Sequence, residues 1–242
     1  MKAVLLFPGQ GAQKVGMGKD LYDTYPEARA MMDAADAALG YSLTQVMFEG
    51  PDAELTRTCN CQPALYLHGL ALYKMLSSMV DIEPVAAAGL SLGEFTAHAA
   101  AGTFSMEDGL KLVQKRGAFM EDACNAAPST MAAMIGGSDE AVAALAAECD
   151  IDVANYNCPG QTVVSGSVEG VDKAVAGAKA AGFKIAKKLN VAGAYHSRFM
   201  KSAQEALRPE LESTPMQTPA VPVYCNYEAR PVTGPEDVRA ML

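Results

Sequence analysis

Gly89-Leu90-Ser91-Leu92-Gly93 places a serine midway between two glycines. An apolar run at 85–88 precedes it and a helical pattern over 92–101 follows. That strand–turn–helix setting is what a G-x-S-x-G nucleophile turn requires, because strand, serine and helix crowd together and only glycine avoids the clash. A serine at a helix N-terminus faces free N–H groups and the positive end of the dipole, both of which favour developing negative charge. The bare pattern also arises by chance between a strand and a helix, so Ser91 is a candidate nucleophile that needs partners.

A serine nucleophile needs a base. The chain holds three histidines, His68, His98 and His196. His98 lies seven residues along the same predicted helix, roughly 10 Å up the axis at 1.5 Å per residue, out of reach of Ser91. His68 sits in a mostly apolar helical stretch and reads as a core or helix-surface histidine. His196, in Gly193-Ala194-Tyr195-His196-Ser197, falls in a loop after a predicted strand, where catalytic groups concentrate. It is the candidate base by elimination and placement. No acid follows in an obvious triad position, so a Ser–His dyad is expected.

Gly9-Gln10-Gly11-Ala12-Gln13 follows the first apolar run. It misses two nucleotide motifs: the sixth position of G-x-G-x-x-G is Lys14, and Gly18-Lys19 is followed by Asp20 rather than Ser or Thr. The alternative is that this loop brings a backbone N–H close to Ser91 as half of an oxyanion hole, with the N–H of Leu92 as the other half. Arg116, in Gln114-Lys115-Arg116-Gly117, has two readings. It is a solvated helix arginine, or, if Gly117 marks close packing, a guanidinium facing a pocket and able to bind a carboxylate bidentately.

The elements that must position these residues alternate. Val4–Phe7 reads as a buried strand ended by Pro8-Gly9. Helical patterns follow over 26–39 and 64–79, a strand over 85–88, and helices over 92–101 and 106–124, the last opened by Ser105 with Asp108 three residues on. Strands alternating with helices predict an α/β fold with a parallel sheet. The middle differs: a strand over 130–135, a helix over 138–149 with Ser138 as N-cap, strands over 152–156 and 162–165 around Pro159-Gly160, a helix over 168–181 and a strand over 183–189. That βαββαβ order is the ferredoxin-like signature. The expected organisation is a large subdomain of residues 1–127 and 191–242, with an inserted ferredoxin-like small subdomain of residues 128–190. A strand over 221–224 and a helix start at Gly234-Pro235-Glu236-Asp237 end the chain.

Composition narrows the partners. The chain has 242 residues, 50% hydrophobic and 19% charged, which argues against disorder. A net charge of −9 is the opposite of a general nucleic-acid binder. No uncharged apolar stretch is long enough to span a bilayer, and the five apolar residues after Lys2 are too few for a signal-peptide core. Six cysteines without a C-x-x-C pair read as reduced thiols of a cytoplasmic protein. Three histidines offer no zinc site of familiar spacing, so no metal is expected.

Five segments occur together and in order: Phe7-Pro-Gly-Gln-Gly-Ala-Gln13, Gly89-Leu-Ser-Leu-Gly-Glu94, Gln114-Lys-Arg-Gly117, Asn157-Cys-Pro-Gly-Gln161 and Ala194-Tyr-His-Ser197. This set resembles the malonyl-CoA:acyl-carrier-protein transacylases, the acyltransferases of fatty-acid and polyketide synthesis, from Phe7 to Asn226. The resemblance implies an α/β-hydrolase-like parallel-sheet large subdomain with the ferredoxin-like insert. It implies Ser91 as nucleophile, His196 as general base and acid, Arg116 as the clamp on the malonyl carboxylate, and Gln10 and Leu92 as oxyanion N–H donors. Tyr195 fits the malonyl-type pattern better than the methylmalonyl-type one. Leu90 stands where many members carry His.

The implied reaction is ping-pong transfer of malonyl from malonyl-CoA through a Ser91 ester to the phosphopantetheine thiol of acyl carrier protein, by a cytoplasmic monomer without metal or redox cofactor. Carrier proteins are acidic, so docking calls for a basic patch, for which Lys184, Lys187, Lys188, Arg198 and Lys201 are candidates. The alternatives are a serine thioesterase or esterase, with water as acceptor, and an inactive acyltransferase-like scaffold. The family continues with a segment that fixes the catalytic histidine and a later strand, so the expectation from the end at Leu242 is a chain lacking its C-terminal segment.

Overall fold

The computed structural model describes residues 1–242. The first half runs β1 (Lys2–Phe7), α1 (Lys19–Thr24), α2 (Pro26–Leu39), α3 (Leu43–Glu49), α4 (Asp52–Thr56), α5 (Thr58–Met79), β2 (Glu83–Gly89), α6 (Leu92–Ala100) and α7 (Met106–Ala126). Then come β3 (Ser129–Ile135), α8 (Asp139–Glu148), β4 (Asp152–Cys158), β5 (Gln161–Ser167), α9 (Val168–Gly177) and β6 (Ile185–Lys188). A single 3-10 turn, α10 (Lys201–Ser213), β7 (Val223–Tyr224) and α11 (Pro235–Met241) close the chain. Two compact units emerge: Met1–Ala118 with Leu207–Leu242, and Phe119–Ala206, the boundaries falling inside α7 and α10.

The first unit is built on a parallel sheet in the order β1-β2-β7. Parallel neighbours need crossover connections, and the helices between β1 and β2 and between β2 and β7 supply them. Leu5 and Phe7 pack onto a cluster of Ala87, Ala97, Val223, Cys225 and Val238. Successive side chains alternate across a strand, so Val4 and Leu6 point the other way and are exposed. The long helix α7 starts as its sequence predicts: Ser105 Oγ accepts the Asp108 N–H at 3.0 Å and donates to the Asp108 carboxylate at 2.6 Å. The stretch 201–213, for which the sequence reading gave no element, is the helix α10, with Ala203, Leu207 and Leu211 buried on one stripe.

The second unit holds an antiparallel sheet in the order β4-β5-β3-β6, with α8 and α9 between its strands. This is the ferredoxin-like arrangement expected from the βαββαβ order. Both central strands are buried on both faces. Ala132, Met134 and Val164 face a core formed with Val142, Leu145, Val171 and Ala174 of α8 and α9. Met131 and Val163 face the opposite cluster, with Tyr195, Met200 and Ala203. Ser138 and Ser167 cap α8 and α9 by accepting the N–H groups of Ala141 and Gly170.

Candidate active site

The serine turn is assembled by glycines where no other residue fits. A Cβ on Gly89 would lie 1.9 Å from the Gly93 carbonyl carbon. One on Gly93 would lie 2.2 Å from the Phe7 carbonyl oxygen, and one on Gly9 2.6 Å from that of Leu90. The strand, the serine turn, the first turn of α6 and the loop after β1 therefore meet backbone to backbone. The Leu90 N–H donates to the Phe7 carbonyl at 3.1 Å, fixing that loop against the turn. Gln10, partly buried, is the next residue of the loop.

Ser91 is the N-cap of α6 at φ 52, ψ −105. A non-glycine residue held there carries strain on the order of 1–3 kcal/mol, which the surroundings must offset. Its N–H donates to Asn226 Oδ1 at 2.7 Å, while Asn226 Nδ2 donates to the Gly89 carbonyl at 2.7 Å. Leu92 is the first residue of α6, so its N–H has no intrahelical partner.

Arg116 reaches this serine from α7. Its Nη2 donates to Ser91 Oγ at 3.1 Å, its Nη1 donates to Gln62 Oε1 at 2.7 Å, and the guanidinium lies over the Phe95 ring at 5.2 Å. Arg116 is thus held by neighbouring side chains rather than free on the helix surface. A Cβ on Gly117 would stand 2.5 Å from the Thr58 carbonyl oxygen, so α7 and the start of α5 are in backbone contact here. Desolvation pulls the guanidinium down to about 10, Glu94 working in the other direction, and it stays charged at pH 7. Glu94 is 4% exposed. Burial raises its carboxyl to about 7, against the Asn226 N–H and Arg116, which lower it. Its Oε2 accepts the Asn226 N–H at 3.0 Å and its Oε1 has no hydrogen-bond partner.

His196 belongs to the second unit and is exposed, at φ 54. The backbone around it is tied down. Ser129 Oγ accepts the Ala194 N–H at 3.0 Å, Ser165 Oγ donates to the Tyr195 carbonyl at 2.7 Å, and Ser197 Oγ donates to the Ala194 carbonyl at 2.6 Å. On the far side the Arg198 guanidinium binds Asp152 at 2.9 Å and Asp150 at 2.7 Å. The other two histidines have different surroundings: His98 is fully buried with Nδ1 bonded to Thr103 Oγ1 at 3.0 Å, and burial lowers the pKa of His68.

The structure thus brings Arg116 onto Ser91, with Leu92 beside it and the Gly9 loop against the turn. Three members of the constellation escaped the sequence reading. Gln62, Glu94 and Asn226 lie far apart in the chain, and Glu94 alone stood in a quoted segment. Of the five residues considered for a basic patch, Lys188 pairs with Asp172, Arg198 with Asp150 and Asp152, and Lys201 approaches Glu205 at 4.0 Å. No helix is long and apolar enough to cross a membrane.

Fold and site together define an acyl transferase: residues 4–240 match the family described as acyl transferase domain. The chain is 40% identical to the malonyl CoA-acyl carrier protein transacylase of Bacillus subtilis, aligned over all of this chain and 77% of that protein. The solved malonyl CoA-acyl carrier protein transacylase of Coxiella burnetii superposes with a TM-score of 0.94 at 32% identity, over 98% of this chain and 77% of that one. A malonyl-transacylase solved in complex with a type II polyketide synthase acyl-carrier protein gives the same TM-score of 0.94 at 32% identity, over 98% and 78%. The chain belongs to the acyl transferase family, among its malonyl-CoA:acyl-carrier-protein transacylases.

Proposed function

We propose that this chain moves a malonyl group from malonyl-CoA to the phosphopantetheine thiol of acyl carrier protein, for fatty-acid synthesis, through an ester on Ser91. His196 takes the Ser91 Oγ proton as Oγ adds to the thioester carbonyl. The oxyanion accepts N–H bonds from Leu92 and Gln10. The carbon–sulfur bond breaks, and His196 returns its proton to the leaving CoA sulfur. The carrier thiol then attacks the ester by the same steps in reverse, giving its proton to His196, and Ser91 recovers it.

The observation that carries this reading is the Arg116 Nη2 to Ser91 Oγ bond at 3.1 Å. In a malonyl ester the free carboxylate lies three bonds beyond Oγ, beside the guanidinium that Gln62 and Phe95 hold in place. A planar, always-charged donor fork matches a carboxylate better than any other side chain. An esterase acting on uncharged acyl groups would gain nothing from a desolvated cation there. The relatives named above support both substrate and acceptor. The test is transfer of radiolabelled malonyl from malonyl-CoA to holo acyl carrier protein. Label on the carrier supports the proposal; release of free malonate with no label on the carrier replaces it with a thioesterase.

A further inference from the structure

Asn226 lies 135 residues from Ser91 in the chain, yet its carboxamide grips both sides of the serine turn. β7 pairs with β2 in the register Ala87↔Val223 and Ala88↔Tyr224, which delivers the second residue past its end, Asn226, to the turn that ends β2. The loop it starts is closed by Cys225 N–H on the Arg230 carbonyl at 2.9 Å and Val232 N–H on the Val223 carbonyl at 2.9 Å. From there Oδ1 takes the Ser91 N–H, Nδ2 holds the Gly89 carbonyl, and the backbone N–H of Asn226 is held by the buried Glu94 carboxylate. These bonds span the residue at φ 52, where a serine does not rest unaided.

We infer that Asn226 is a positioning residue for the nucleophile: its carboxamide, anchored by Glu94, fixes the Ser91 backbone in the strained conformation that presents Oγ for attack. The inference rests on Ser91 being the nucleophile of the proposed reaction. Because the clamp touches the serine backbone and not the acyl group, it serves every acyl donor alike. That separates it from Arg116, which acts on the malonyl carboxylate.

The test compares the full chain with Asn226→Ala, Asn226→Asp and Glu94→Gln. A fluorophosphonate, which needs only a poised serine, reports Ser91 reactivity without any malonyl group. Single-turnover ester formation from malonyl-CoA and acetyl-CoA gives the acyl reaction, and thermal melting monitors folding. A nucleophile displaced by about 1 Å can lose on the order of 100-fold in rate. Asn226→Ala is expected to slow fluorophosphonate labelling by about that factor. Ester formation from both thioesters should slow equally, with the malonyl/acetyl ratio within twofold and KM within threefold of the parent. Asn226→Asp can accept from the Ser91 N–H but cannot donate to Gly89, and should fall between parent and alanine. Glu94→Gln, which still offers an oxygen to the Asn226 N–H, should stay closer to the parent than either. Should Asn226→Ala fail to fold, the aspartate variant decides. Parent-like labelling in the folded variants overturns the inference, as does a loss confined to malonyl-CoA. A parent that labels at Ser91 with fluorophosphonate but forms no malonyl ester refutes the proposed function while leaving the clamp testable. A parent that labels with neither refutes both.

Discussion

Replacing Arg116 by Ala should change which acyl group the enzyme prefers, and the structure sets the scale. The guanidinium is desolvated, bonded to Gln62 and Ser91, and packed over Phe95. Deleting one partner of such a charge-assisted pair costs roughly 2–4 kcal/mol, mostly because the other charge is left unpaired. In the variant, that other charge is the malonyl carboxylate. At 1.36 kcal/mol per decade this is a loss of about 30- to 900-fold in kcat/KM for malonyl-CoA. Acetyl-CoA has no carboxylate to strand, so its kcat/KM should change by less than about threefold, the loss of the Ser91 Oγ contact being the only direct effect. Removing the cation also takes away the Arg116 charge that lowers the buried Glu94 carboxyl, which pushes that carboxyl further toward the neutral form. Arg116→Lys, a point charge that cannot hold Gln62, Ser91 and a carboxylate together, should lie between. The assay is steady-state transfer with each thioester at saturating holo carrier protein. A malonyl/acetyl ratio within threefold of the parent would refute the assignment of Arg116 as the carboxylate clamp.

His196→Ala should slow ester formation by about 100- to 10,000-fold, the usual span for a general base, read by single-turnover quench with malonyl-CoA. Gly89→Ala should destabilise by at least about 3 kcal/mol, since its Cβ meets the Gly93 backbone at 1.9 Å and no side chain can move aside. In a chain of this size that is a melting-temperature drop of roughly 6–12 °C. Gly177→Ala, whose nearest neighbour is Leu145 at 3.6 Å, is the control and should be neutral or slightly stabilising. Glu94 has its carboxyl raised from 4.5 to about 7 on folding. The native state therefore holds a proton that the unfolded chain releases. The stability linked to Glu94 is full below about pH 4.5 and is lost as pH rises through about 7, up to roughly 3 kcal/mol. Glu94→Gln lacks this slope, so denaturant titrations should show it gaining on the parent between pH 5 and pH 8. A constant difference between the two proteins over that range would contradict the assignment.

Long, patterned elements were legible because periodicity and caps agree locally. The helix over 26–39 appears with the predicted bounds, and Ser138 caps α8 as its position indicated. The ferredoxin-like order followed from segment order alone. The short helices α1, α3 and α4 have five to seven residues, less than two turns, and leave no periodic signal. The first turn and a half of α5 and all of α10 had no assignment from the sequence; each contains a proline inside the helix, Pro63 and Pro209, a residue that local propensity disfavours there. In the site, the serine turn was visible because its glycines are two residues away on either side. Gln62, Glu94 and Asn226 were not, because sheet register and helix packing, rather than spacing, carry them to Ser91. A helix glutamate in particular looks solvated until the fold buries it.

Peptide-resolved mass spectrometry after brief mixing with malonyl-CoA tests the central claim most directly. The account predicts one malonyl adduct, on the peptide carrying Ser91, lost on addition of holo acyl carrier protein as the carrier gains the same mass, and absent from Ser91→Ala. An adduct that persists in Ser91→Ala, or a parent that takes up no malonyl at Ser91, would contradict it.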